Sequence, residues 1–144
     1  ALDLEIKDEF KFLSTLNVMK SPNGAYATDY QAASTNAAST SLALALYRCF
    51  EEEPKREVVS FLESQEAANG GYLAVPQMPF GDLETTAKSL MQLLPLGSDV
   101  DRAKHLAFVE ALKTSRGFKL HEKDSLIDCD STFWGLVSYG LLSD

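Results

Sequence analysis

Cysteine is scarce in this chain: Cys49 and Cys129 are the two in 144 residues, at a spacing that suits neither a disulfide framework nor a thiolate metal site. Both read as small buried hydrophobes. Positive charge is also short, 13 Lys and Arg against 21 Asp and Glu. The resulting net charge of −8 argues against nucleic acid as a partner, because a phosphate-tracking surface has to be basic. No apolar run approaches the roughly 20 residues that a membrane-spanning helix needs. Asp3, Glu5, Asp8 and Glu9 stand where a signal peptide would carry basic and apolar residues. The expectation is therefore a cytoplasmic protein without a membrane span. There is no Gly-rich phosphate loop and no paired-histidine metal motif. Eight Gly and five Pro are too few for a low-complexity chain, and 45% hydrophobic residues suffice for a core.

What is present is an internal repeat. Three segments align: Phe12-Leu13 with Asn23-Gly24-Ala25-Tyr26, Phe61-Leu62 with Gly70-Gly71-Tyr72, and Phe108-Val109 with Arg116-Gly117-Phe118. Gly24, Gly71 and Gly117 are 47 and 46 residues apart, and Thr40, Thr86 and Thr132 are 46 apart. Asn36, Asp82 and Asp128 each precede one of those threonines by four residues, and Leu44, Leu90 and Leu136 follow by four. Apolar spacing is helical on both sides of the Gly-aromatic signal, which reads as a helix stop. The Asn and Asp positions read as N-caps of second helices running Ala37 to Tyr47, Leu83 to Leu94 and Cys129 to Leu142. The predicted architecture is all-α: three αα-hairpins of about 46 residues, at about 1–50, 51–97 and 98–144, in one repeat domain. The second helices are apolar nearly all round, so they are expected to be buried on both sides as an inner layer.

The middle unit, with Phe61-Leu62, Gln65, Gly70-Gly71-Tyr72, Pro76, Asp82 and Thr85-Thr86, resembles the repeat of protein prenyltransferase β subunits and squalene or terpene cyclases. The resemblance implies an α/α toroid, an apolar cavity, and functional residues at the starts of the inner helices. The stretch Leu126 to Trp134 is similar to two family motifs. Against the zinc motif D-x-C-Y-S-[FW]-W, Asp128 matches the zinc aspartate. Asp130 stands where the cysteine belongs, and Cys129 is one position off, about 100° round the helix. The family's histidine ligand is replaced by Thr85, so its zinc set is not reproduced. Against the cyclase motif D-x-D-D-T-A, Asp128 and Asp130 match two acids and Ser131 replaces the third. The resemblance makes Asp130 the proton donor with Asp128 beside it, and such an acid requires a raised pKa.

The candidate substrate-binding residues are Asp82, Glu84, Tyr47, Phe133, Trp134 and Tyr139, as polar mouth and aromatic lining of an isoprenoid cavity. Asp82, Glu84, Asp128 and Asp130 recur at matching places in adjacent units, and such a carboxylate cluster would suit a divalent metal, Mg or Zn. The plainer reading makes Asp82 and Asp128 helix caps, Glu84 and Asp130 first-turn acids, and the aromatics core. His105 is expected on an outer helix surface and His121 in solvent. Three hairpins leave two apolar faces open, to be covered by a second copy in a homodimer or by sequence outside this chain; the start at Ala1 favours the latter. Two functions follow: an isoprenoid-handling, prenyltransferase- or cyclase-like domain, catalytic or not, or a non-enzymatic repeat module that binds a protein or peptide.

Overall fold

A computed structural model describes residues 9–29 and 34–143. Six helices form among the described residues: α1 (Glu9–Val18), α2 (Ala37–Cys49), α3 (Arg56–Ser64), α4 (Leu83–Leu93), α5 (Arg102–Leu112) and α6 (Cys129–Leu142). The chain is thus mostly helical. Two minimal antiparallel pairings, β1 (Tyr26–Ala27) with β2 (Thr35–Asn36) and β3 (Lys113–Thr114) with β4 (Gly117–Phe118), brace the loops. The helical apolar spacing of the first unit, Leu4, Phe10, Leu13 and Leu16, begins outside the described residues.

The helices start where their chemistry says they should. Asn36, Asp82 and Asp128 are extended N-caps whose side chains accept from the backbone N–H of Ser39, Thr85 and Ser131 at 2.7, 2.8 and 2.7 Å. Asp101 caps α5 in the same way through Lys104 N–H at 3.0 Å. Helices α3 and α5 bury one stripe each, Val58, Phe61 and Leu62 in the first and His105, Phe108, Val109 and Leu112 in the second. These sit at the spacing of one helical face.

The glycines act differently from expectation. Gly24 and Gly70, at φ +90° and +89°, lie six residues beyond the ends of α1 and α3, inside a turn rather than at a helix cap. Both need glycine twice over, for the positive φ and for room. A Cβ on Gly24 would collide with the Glu57 carbonyl oxygen, and one on Gly70 would stand 2.7 Å from that of Lys104. The position equivalent to Gly24 is therefore Gly70, with Gly71 matching Ala25. One residue further, Tyr26, Tyr72 and Phe118 are buried, and their N–H groups donate to Thr40, Thr86 and Thr132 Oγ1 at 3.0, 2.9 and 3.2 Å.

Backbone bonds tie the starts of α2 and α4 to the loops that follow α3 and β4. Ala37 N–H donates to Ala74 O and Leu83 N–H to Leu120 O, both at 2.9 Å. Side chains add two ion pairs, Lys20 to Glu57 at 2.6 Å and Glu66 to Lys104 at 2.5 Å, with the charges exchanged between them. Partly exposed pairs of this kind contribute little, on the order of 0–1 kcal/mol. Cohesion comes from one continuous core that includes Leu44, Leu62, Leu83, Leu90, Leu93 and Val109, each worth about 1.5–3 kcal/mol of burial.

Of the second helices only α4, with Leu83, Thr86, Ala87, Ser89, Leu90, Gln92 and Leu93 buried, is covered on both sides, and α2 and α6 are not. Leu42 and Leu46 of α2, Met91 of α4, and Phe133 and Leu136 of α6 are exposed. An all-round apolar sequence here reflects a face that packs plus a face that the described residues leave open.

Candidate functional site

Asp128 and Asp130 lie at the exposed start of α6. Asp128 Oδ1 accepts from Ser131 Oγ at 2.6 Å and from Ser131 N–H, and these bonds hold its carboxyl below the ordinary range. Asp82 sits one helical pair earlier in a half-buried setting, where desolvation pushes its pKa up against the opposing hydrogen bonds from Thr85. The two caps are alike in geometry and opposite in electrostatics, because one is covered by its neighbours and the other faces water. Glu84 is engaged by Lys88 Nζ at 2.6 Å, one turn along α4. Among the described residues no three His, Cys, Asp or Glu side chains are grouped to hold a metal ion.

The aromatic candidates lie in different surroundings. Tyr47 is buried in the core, its hydroxyl 3.0 Å from that of Tyr26 and donating to Asn17 Oδ1 at 3.4 Å. Phe133 is exposed and meets Trp134 edge-on with ring centroids 4.9 Å apart. Lys88 Nζ lies 5.2 Å from the centroid of the Trp134 ring, and Lys113 Nζ the same distance from that of Tyr139.

Three further expectations are corrected. Cys49 and Cys129 are free and exposed, as the last residue of α2 and the first of α6. His105 is fully buried: it stacks on Tyr72 at 5.2 Å, and its Nδ1 lies 2.5 Å from the Gly70 carbonyl oxygen. A carbonyl only accepts, so Nδ1 carries the proton and Nε2 is left as a buried acceptor without a partner. His121 is only partly exposed and packs on Phe80 at 4.7 Å.

A site that the sequence did not single out lies between the C-terminal halves of α2 and α4 and the end of α6. A depression of about 470 Å³ is lined by Ala45, Arg48, Cys49, Met91, Gln92 and Leu141. One Arg48 guanidinium nitrogen donates to Met91 O and Gln92 Oε1, each at 3.2 Å, fixing the cation at the wall of an otherwise mainly apolar trough. A volume of this size falls in the range of small-molecule sites, roughly 300–1,000 Å³. The available signal was Arg48 itself, the one charge in the apolar run Ala37–Cys49. The chain matches no family model, and no curated protein matches it.

Proposed function

We propose that the chain is an isoprenoid-handling domain of three αα-hairpins, similar to a portion of an α/α toroid, which holds an apolar chain bearing an anionic head. The observation that carries this reading is the trough formed by Ala45, Met91 and Leu141 with Arg48 fixed at its wall. Apolar length needs only apolar volume, and a single guanidinium supplies charge-assisted bonds for a diphosphate. The reading is one of binding, and no proton transfer is assigned to this chain. The three-hairpin reading is supported by the Tyr26–Thr40, Tyr72–Thr86 and Phe118–Thr132 hydrogen bonds, each spanning 14 residues.

Titration calorimetry with farnesyl diphosphate tests it. Saturable binding is expected, weakened about tenfold or more in Arg48→Ala, since a bond to a charged group contributes roughly 1.5–3 kcal/mol. Absence of binding, or equal binding by the variant, overturns the reading. A non-enzymatic interaction module is the second reading, favoured by the exposed apolar side chains Phe133 and Leu136 on α6.

A further inference from the structure

The two ends of the helical stack are open in complementary ways. On α6, Leu136 is 61% exposed, whereas Leu44 of α2 and Leu90 of α4, 92 and 46 residues earlier, are both 0% exposed. Phe133 is exposed where Ser41 and Ala87 are buried, and Cys129 where Ala37 and Leu83 are buried. Cys129, Phe133, Leu136 and Gly140 follow one another at steps of four, three and four, which is a single stripe along the helix. Helix α4 packs beside α2 and α6 beside α4, and no described element takes the same place beside α6.

The opposite end shows the converse. Phe12 of α1 is 57% exposed, while Phe61 of α3 and Phe108 of α5, aligned with it in the repeat, are 6% and 5% exposed. Leu46 of α2 is exposed where Gln92 of α4 and Ser138 of α6 are buried. Gln92 faces backward onto α2, since its Oε1 accepts from Arg48. Inside the chain, the forward side of α2 thus meets the backward side of α4.

We propose that the forward stripe of α6, centred on Phe133 and Leu136, seats against the backward stripe of α2, centred on Leu42 and Leu46, in a second copy of this chain. The contact continues the α2-to-α4 and α4-to-α6 packing across a molecular boundary, a head-to-tail rather than a two-fold contact. Both stripes are apolar and belong to the same chain, so a second copy brings the missing surface to each. The match lies at the inner helices. At the loop, Arg116 stands where Gly24 and Gly70 admit the close approach of the next helix, so α1 of the second copy sits further out than α3 or α5 do. The proposal is independent of what the trough binds.

Sedimentation equilibrium of the wild type, of Leu136→Asp and of Leu46→Asp tests it, with circular dichroism to verify that these exposed substitutions leave the helices intact. Phe133→Ser and Leu42→Ser serve where either Asp variant loses helix. The wild type is expected to sediment at a multiple of the single-chain mass and each variant as a monomer. An equimolar mixture of the two variants is expected to regain a dimer, because one sound stripe of each kind remains. A monomeric wild type overturns the proposal and hands the stripes to another occupant. Loss of assembly in Leu136→Asp alone also overturns it, since that is the result of α6 pairing with itself. So does a mixture that stays monomeric.

Discussion

The N–H of Tyr72 donates to Thr86 Oγ1 at 2.9 Å, and that hydroxyl donates in turn to the Asp82 carbonyl at 2.6 Å. One threonine side chain thereby anchors a buried aromatic to the first turn of the following helix. Thr86→Val keeps the shape and removes the acceptor, leaving a buried N–H unpaired at a cost of about 1–3 kcal/mol. Thr86→Ser keeps the bond and is expected to cost less. Urea unfolding of both variants checks this, and equal losses would contradict it.

The two aspartate caps predict pH dependences of opposite sign. The Asp128 carboxyl is held low in the folded state, so its stabilisation is present above the unfolded-state pKa and is lost as pH falls through the folded one. Asp82 is raised by desolvation, so the folded chain holds that proton more tightly. Its contribution is fully present in acid and declines as pH rises from the ordinary carboxylate value through the raised one. Unfolding free energies measured from acid to neutral pH should show the advantage of wild type over Asp128→Asn growing and its advantage over Asp82→Asn shrinking. Parallel slopes would contradict the assignment.

These caps also mark how much could be read from the sequence. Asn36, Asp82 and Asp128 act within three residues of themselves, so their role follows from local chemistry and a 46-residue spacing. The buried side of α2, α4 and α6 does not, because it depends on which neighbour packs there. Leu90 and Leu136 occupy the same place in their units and differ completely in exposure. The burial of His105 is likewise not local, since its partners Gly70 and Tyr72 lie more than 30 residues earlier in the chain. Arg48, Met91 and Gln92 form no motif, and only the packing of α2 on α4 brings them together.

His105 holds the turn of the preceding pair through Gly70 and Tyr72. His105→Ala removes a buried ring and a hydrogen bond, and is expected to cost about 2–4 kcal/mol. His105→Phe retains the stacking and deletes the orphaned Nε2, so its loss should be smaller. Thermal or denaturant unfolding checks the order. A loss in His105→Ala of about 0.5 kcal/mol or less, typical of surface positions, would contradict the burial.

Both thiols should react with a disulfide reagent in dilute native protein, because Cys49 and Cys129 are exposed. At concentrations where copies associate, Cys129 should slow, since it belongs to the α6 stripe. A thiol that reacts only after unfolding in dilute protein would contradict its placement.

The reading of function stands on the trough between α2, α4 and α6. An amide NMR titration with farnesyl diphosphate tests it most directly. Saturable shifts centred on Ala45, Arg48, Cys49, Met91, Gln92 and Leu141 are expected. No shifts, or shifts centred on Asp128 and Asp130 with the trough unmoved, would contradict it.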